Sequence, residues 1–229
     1  MGSTDKGYNN EIKGLILIYD EEKDDLKFSL SQINEIEEIQ SEKIKKINLT
    51  GKGGIYEFKI KFNKPINWAN IIFQKKNIIF IDLTNFDSSN TTSLSNMFNQ
   101  CEFLEYVDLT GLDTSKVTTM SYMFSKCYKL KEIKGLNTLN TSKVTDISNM
   151  FLECINIEYL DLSYLNISSI TTMSWMFSGC TKLKKLNISN FVTNNNAGVY
   201  NMFYRINKEC EISTDDKKII NAFNEGKNK

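Results

Sequence analysis

Histidine is absent from the 229 residues of this chain. Because histidine is the side chain most used for acid–base catalysis near neutral pH and for binding transition metals, its absence excludes Ser-His catalytic triads and histidine-based zinc sites. The chain also lacks net charge, with 28 basic and 28 acidic side chains. A neutral chain has no overall field that attracts nucleic acid, so we expect no nucleic-acid partner.

Long apolar runs are missing as well. No stretch of about 18 apolar residues occurs, so we expect no segment that inserts into a membrane. The polar start, Met1 to Lys6, does not resemble a signal peptide. Two interpretations stay open: the protein is intracellular, or a leader has been removed.

What the sequence does contain is a repeat. A Met-Phe pair occurs five times, and successive phenylalanines are 26, 27, 26 and 26 residues apart. A fixed period between about 20 and 50 residues is typical of a solenoid, in which each repeat is one coil that buries its apolar face against its neighbours. The pairs are Met97-Phe98, Met123-Phe124, Met150-Phe151, Met176-Phe177 and Met202-Phe203.

Apolar residues hold fixed positions within each coil. A cysteine usually follows three residues after the phenylalanine, and then a Leu-x-x-Leu-x-Leu pattern whose last part predicts a short parallel strand. A second extended segment comes next, and the Ser-x-Met-Phe stretch after it predicts a helical turn with Ser121, Ser148 or Ser174 near its N-cap. The extra residue of the 27-residue spacing lies near Gly135.

The repeat divides the chain into four predicted parts. The middle part is a leucine-rich-repeat-like solenoid, an α/β repeat of short parallel strands and short helical turns. The cap before it should contain two hairpins, one at 11–32 and a clearer one around Gly51 to Gly54. In order, the parts are 1–10, a disordered tail; 11–65, a β-rich N-terminal cap; 66–206, the solenoid; and 207–229, a C-terminal cap helix and tail.

The repeat pattern also resembles a known family. It reads Met-Phe-x-x-Cys-x-x-Leu-x-x-Leu-x-Leu and then Leu-x-Thr-Ser-x-Val-Thr-x-Met-Ser-x-Met-Phe, as in Met97 to Phe124, where Val107 replaces one leucine. This is similar to the BspA-like leucine-rich repeat proteins, and more narrowly to their 26-residue surface-protein variant of the DUF285 type. The resemblance covers residues 66–206. It implies a cell-surface or extracellular protein, in some cases an adhesin for host matrix proteins or partner cells, and no enzyme.

The cysteines do not predict a metal site. Zinc ligands come as local pairs, and Cys101, Cys127, Cys154 and Cys180 stand one per coil, so we expect no metal and no other cofactor. We expect a ladder of buried thiols, with disulfides between neighbouring coils as the alternative. Cys210 lies outside this ladder, and we expect it to be exposed but not catalytic, since no histidine can activate it.

The candidate binding residues are those that the strands should turn outwards. One column contains aromatic residues and the next contains aspartates, a combination that protein-binding surfaces favour. A merely solvated sheet is an equally open interpretation, because tyrosine also has high strand propensity. The candidates are Phe80, Tyr106 and Tyr159 with Asp82, Asp108 and Asp161, and a weaker second patch consists of Tyr122 and Trp175.

Together these patterns favour a non-enzymatic module that binds a protein or glycan along the exposed sheet face of the solenoid. The alternative is a structural spacer or stalk without a ligand of its own. The aromatic column favours binding, whereas the polar Thr-Ser face favours the spacer. The sequence makes no prediction about the oligomeric state.

Overall fold

The computed structural model describes residues 10–17, 44–52, 55–62, 78–194 and 197–228. The disordered tail predicted at 1–10 lies outside the described residues except for Asn10, which belongs to a strand, and the second strand predicted within 11–32 also lies outside them. Within them, the chain forms nine strands and one α-helix. These elements are β1 (Asn10–Leu17), β2 (Ile44–Lys52), β3 (Ile55–Phe62), β4 (Ile78–Asp82), β5 (Tyr106–Asp108), β6 (Glu132–Lys134), β7 (Tyr159–Asp161), β8 (Lys185–Asn187), β9 (Glu211–Ser213) and α1 (Lys217–Lys227).

The strands belong to two sheets. One has the order β2-β3-β1-β4-β5-β6 and the other the order β7-β8-β9. Pairing is antiparallel among β1, β2, β3 and β4 and parallel from β4 to β6 and from β7 to β9. The parallel strands β4 to β6 are therefore continuous, through the pairing of β4 with β1, with the antiparallel strands.

The N-terminal strands follow from alternation of apolar and polar residues. In β3, Tyr56, Phe58, Ile60 and Phe62 alternate with polar residues, and Lys52 of β2 lies opposite Ile55 of β3, as in a tight hairpin. The first strand of the hairpin predicted at 11–32 is β1, which begins at Asn10. Its neighbours in the sheet are β3 and β4.

The repeat forms a parallel β-solenoid of about five turns with little helix. Besides the strands, each coil carries a second site of parallel pairing, as the second extended segment predicts. Isolated bridges join Ser93 to Thr119, Thr119 to Asp146, Asp146 to Thr172 and Thr172 to Gly198. A coil is thus hydrogen-bonded to its neighbour on more than one side.

The helical turn predicted for Ser-x-Met-Phe is wrong. The residue after the serine has a positive φ, for example 58° at Tyr122 and 60° at Trp175, which a right-handed helix does not allow. Every second backbone N–H in this stretch bonds to the next coil, as that of Phe98 does to the Met123 carbonyl at 2.8 Å. The hydroxyl of Ser121, predicted near the N-cap, lies 3.0 Å from that of Ser95 and 3.2 Å from that of Thr119.

The core is a stack of phenylalanine rings. Phe98, Phe124, Phe151, Phe177 and Phe203 are all fully buried, and neighbouring ring centroids are 5.3, 5.7, 5.9 and 5.6 Å apart with nearly parallel planes. The spacing follows the separation of about 4.8 Å between neighbouring strands. Each coil therefore buries its ring between the rings of its two neighbours.

The helix α1 lies at the end of this stack. The Asp216 side chain accepts a hydrogen bond from the Ile219 N–H at 2.9 Å, which satisfies one free donor of the first turn. The ring of Phe223 meets that of Phe203 edge-on at 5.2 Å. Gly226 lies against the Phe203 carbonyl so closely that a Cβ atom would collide with it. The last ring of the stack is thus covered by α1.

Candidate binding surface on the strand face

The strand register places the predicted residues in two outward columns. Phe80 pairs with Tyr106 and Tyr106 with Glu132, while Tyr159 pairs with Lys185 in the second sheet. The residue between the two columns points inwards on each strand, since Ile81, Val107 and Leu160 are buried. Tyr106 is 41% exposed and Tyr159 61% exposed. Phe80 is half-buried.

The second column continues beside the first. Asp82 pairs with Asp108 and Asp108 with Lys134, and Asp161 pairs with Asn187. These side chains also build the turns that end the strands. Asp82, Asp108 and Asp161 each accept a hydrogen bond from the backbone N–H two residues later, at 2.9 to 3.0 Å. This is the Asx turn, which the spacing Asp-x-Thr or Asp-x-Ser after each strand could have indicated.

Charges on the first sheet are paired between coils. The Nζ of Lys134 lies 2.8 Å from an Asp108 carboxylate oxygen, and that of Lys131 lies 2.6 Å from one of Glu105. The Lys131 Nζ is also 5.8 Å from the centroid of the Tyr106 ring. Burial opposes ionisation of Asp108, but hydrogen bonds from Lys134 and Thr110 outweigh it and lower the pKa. Tyr106 and Asp108 are thus partly engaged by the protein itself.

On the second sheet, the corresponding residues Tyr159 and Asp161 have no ion-pair or cation–π partner among the described residues. Hydrogen bonds from the Ser163 hydroxyl and N–H lower the pKa of the exposed Asp161, so this carboxylate stays charged in neutral solution. Within the part of the chain that the structure describes, no lysine or arginine forms an ion pair with it. Tyr159 and Asp161 therefore present an aromatic ring and a free negative charge side by side.

The second predicted patch divides into separate sites. Tyr122 is 39% exposed, and Trp175, two coils further on, is half-buried. The indole ring of Trp175 contacts Tyr200 and Tyr204, each with ring centroids 5.8 Å away and edge-on geometry. Sequence reasoning missed these two tyrosines, although they flank Met202-Phe203, because the equivalent positions of the other coils carry mostly serine and so form no aromatic column.

The cysteine ladder is buried and reduced. All five cysteines are free thiols, and the Sγ of Cys127, Cys154 and Cys180 each bonds to a phenylalanine carbonyl of the preceding coil at 3.0 to 3.2 Å. Burial raises the pKa of Cys127 and Cys154 well above the ordinary range and that of Cys180 to about 12. The interpretation with disulfides between coils is wrong.

Cys210 differs from its prediction. We expected an exposed side chain, but only 2% of its surface is accessible. It precedes β9 and packs in the apolar core of the last coil, where burial raises its pKa to about 11. A thiol with this environment is a poor nucleophile at neutral pH.

Among the described ranges, no three Cys, Asp or Glu side chains lie close enough together to hold a metal ion. The described helix is too short and too polar to cross a bilayer.

Comparison with known proteins gives one match. The chain resembles no curated protein and no solved structure significantly. Two segments, residues 65–138 and 130–221, match the family described as "Mycoplasma protein of unknown function, DUF285". The two segments together span more than half of the chain, including every parallel strand. The chain therefore belongs to the DUF285 family.

Proposed function

We propose that this protein is a non-enzymatic binding module that recognises a protein or glycan partner along the outward face of β4 to β9. The observation that supports this most is the exposure of Tyr106 and Tyr159, 41% and 61%, at the same position of the strand. Tyrosine offers a large rigid contact area at a small entropic cost, and exposed aromatic residues are enriched in protein interfaces. A stack of coils holds such residues on a stiff backbone.

We further propose that the repeat is a leucine-rich repeat of the BspA-like kind and that the protein acts at the cell surface. Both proposals depend on the resemblance of the repeat pattern. In this arrangement the antiparallel strands and α1 serve as caps, because they cover the first parallel strand and the last ring of the core. Capping a solenoid keeps its apolar ends from water.

A spacer is the second candidate, and one observation favours it. Charged side chains of the strand face pair between coils, Lys131 with Glu105 and Lys184 with Glu158, both at 2.6 Å. The aspartates of the face also form turns within their own coil. A surface that satisfies its own charges in this way has less to offer a ligand.

The test compares two double variants of the full chain. Wild-type protein is applied to a glycan array and to immobilised extracellular-matrix proteins, and bound probes are then titrated. Replacing Tyr106 and Tyr159 by alanine should weaken binding about tenfold or more. Replacing Tyr122 and Trp175 by alanine is the matched control, and thermal unfolding verifies that both variants fold. A larger loss in the control pair would place the site elsewhere, and wild-type protein that binds none of the probes would favour the spacer.

A further inference from the structure

Backbone hydrogen bonds join most strands of the solenoid in the same way. Wherever two neighbouring parallel strands pair, one backbone hydrogen bond joins the coils just before the strands and another joins them just after. Between β5 and β6, for example, the Lys131 N–H bonds to the Glu105 carbonyl and the Leu109 N–H to the Lys134 carbonyl, both at 2.9 Å. Equivalent pairs of bonds join β4 to β5, β7 to β8 and β8 to β9.

The junction between β6 and β7 is different. Both strands lie within the described residues, yet neither neighbours the other in a sheet, and no backbone hydrogen bond joins 131–136 to 157–162. On the other side of the same two coils the bonding is intact, with the Phe124 N–H 2.9 Å from the Met150 carbonyl and the Lys126 N–H 2.7 Å from that of Leu152. The solenoid therefore opens only on its strand face.

The extra residue of the repeat lies at this junction. Ile133 follows Val107 by 26 residues, but Leu160 follows Ile133 by 27. The chain absorbs the additional residue directly after β6, with a left-handed Gly135 at φ 84° and a 3-10 turn at Leu136–Thr138. A Cβ atom on Gly135 would lie 2.6 Å from the Thr110 backbone nitrogen, so this segment packs against the preceding coil.

The opening leaves strand edges without partners. The Glu132 N–H donates to the Glu105 carbonyl of the preceding coil, and the Lys134 carbonyl accepts from the Leu109 N–H of that coil. Because the backbone groups of successive strand residues point to alternate sides, the N–H and C=O of Ile133 face the opening. Such an edge is a template for another extended chain.

A groove of about 470 Å³ occupies the opening. Its floor is apolar, formed by Ile133, Leu136, Ile157 and Leu160, and Tyr159 and Tyr164 stand at its rim, 61% and 64% exposed. This volume is within the range of about 300 to 1,000 Å³ for ligand sites, and the apolar floor with few polar groups is typical of them. We call this site the β6–β7 groove.

The charge of the β6–β7 groove is negative. Three charged residues line it, Lys131, Glu132 and Asp161. Lys131 is neutralised by Glu105 at 2.6 Å, whereas no cation of the described residues pairs with Glu132 or Asp161. A ligand with basic groups therefore complements the site.

We propose that the β6–β7 groove binds an extended basic peptide segment of a partner protein, which pairs its backbone with the free strand edge and places an apolar side chain on the groove floor. This inference rests on the proposed function and narrows it, both in the class of partner and in the position of the site. It shifts the centre of binding from Tyr106, whose ring is partly engaged by Lys131, to Tyr159 and Tyr164.

The experiment uses a random peptide library displayed on phage, selected against the full chain. Selected peptides should alternate Lys or Arg with apolar residues. One of them, labelled with fluorescein, is titrated with wild-type protein and with the single variants Tyr106→Ala, Tyr159→Ala, Tyr164→Ala and Tyr200→Ala. A second version of the peptide carries N-methyl groups on alternate amides, which removes backbone donors without changing side chains.

We expect Tyr159→Ala, Tyr164→Ala and N-methylation each to weaken binding about tenfold or more. Tyr106→Ala should have a smaller effect, and Tyr200→Ala, which alters an equally exposed ring of another surface, should have none. Equal losses from Tyr106→Ala and Tyr159→Ala with none from Tyr164→Ala would overturn the groove and leave the proposed function standing. Unchanged binding of the N-methylated peptide would also overturn the groove proposal and leave the proposed function standing. So would a protein that binds array glycans through Tyr159 and Tyr164 but binds no peptide. Binding that none of the strand-face variants weakens would overturn both.

Discussion

The ring of Phe151 stacks on that of Phe177 with centroids 5.9 Å apart and planes within 3° of parallel. The same ring stacks on Phe124 from the other side at 5.7 Å. Phe151 therefore covers one face of each of these two rings, so the burial of neighbouring coils is coupled. Coupling between nearest neighbours is what makes a solenoid unfold as a unit.

Phe151 is therefore the position where a single change should weaken the whole array. Phe151→Ala should cost about 3 to 5 kcal/mol of unfolding free energy, because it removes a fully buried ring and leaves a cavity. Phe151→Asp should cost more, since it also buries a carboxylate without a partner. Urea denaturation measures both. Tyr164→Asp, at a side chain that is 64% exposed, is the control and should stay within about 0.5 kcal/mol. Unchanged stability of Phe151→Asp would contradict the stacked core.

The buried thiols should resist alkylation in the folded state. Reagents attack the thiolate, and burial both blocks access and raises the pKa of Cys127, Cys154, Cys180 and Cys210. Titration with a chromogenic disulfide reagent should find few reactive thiols in native protein and all five in denaturant. Rapid labelling of all five without denaturant, or stoichiometric zinc in the purified protein, would contradict this arrangement.

Stability should fall in alkaline solution for the same reason. The pKa of Cys180 is about 12 when folded, against an ordinary value near 9. Above pH 9 the unfolded chain loses this proton while the folded chain keeps it, so the unfolded state gains stability as the pH rises. The contribution of Cys180 should decrease by about 1.4 kcal/mol for each pH unit from 9 towards 12. Comparing the wild type with Cys180→Ala in denaturant titrations at pH 8 and pH 11 measures it, because groups distant from Cys180 titrate alike in both proteins.

The apolar positions of the repeat are the part of the fold that the sequence predicts best. Phe124, Cys127 and Leu130 recur at fixed spacing because each must meet its counterpart in the next coil, and this requirement leaves a periodic pattern. The parallel strand around Val107 follows from the same pattern. Local backbone conformation is less visible, because several residue types can satisfy it.

Two features of the structure could not be predicted from the sequence, the positive φ of Tyr122 and Trp175 and the separation of β6 from β7. Asparagine at positions 96, 149 and 201 is a signal for a left-handed residue, but Tyr122 and Trp175 in the same column hide it. The 27-residue spacing was visible too. Whether an extra residue enlarges a loop or separates two strands depends on how the segment that contains it packs against the neighbouring coil. Here the packing of Gly135 against Thr110 decides, and a sequence does not show that contact.

The residues with positive φ at the position of Tyr122 allow a test by exchanging residues between two coils. Tyr122 has φ 58°, and Asn149, at the same position of the next coil, has the same value. Asparagine tolerates this conformation, whereas a bulky side chain is strained by about 1 to 2 kcal/mol. Tyr122→Asn should therefore raise the unfolding free energy by about 1 kcal/mol, and Asn149→Tyr should lower it by a similar amount. Thermal and urea denaturation measure both, and a loss of stability in Tyr122→Asn would show that contacts of the tyrosine ring outweigh the strain.

Hydrogen exchange should reveal the opening between β6 and β7 directly. Val107 and Leu186 occupy the same position of their strands as Ile133, and both have a strand on the side that their N–H groups face. The Ile133 N–H faces the opening, so it should exchange about tenfold faster or more than those of Val107 and Leu186. Measurement by nuclear magnetic resonance resolves the three amides individually.

A deletion tests the cause of the opening. Asn137 is exposed within the 3-10 turn, and removing it reduces the spacing between Ile133 and Leu160 from 27 to the 26 residues found elsewhere in the repeat. Regular spacing should let β6 pair with β7, so the Ile133 amide should become as protected as that of Val107. The groove should close, and a peptide selected on the wild type should bind more weakly to the shortened chain. If the Ile133 amide still exchanges rapidly in a folded deletion variant, the extra residue is not what separates the strands. Protection of Ile133 already in the wild type would mean that the strands are paired in solution, and the groove would then be absent.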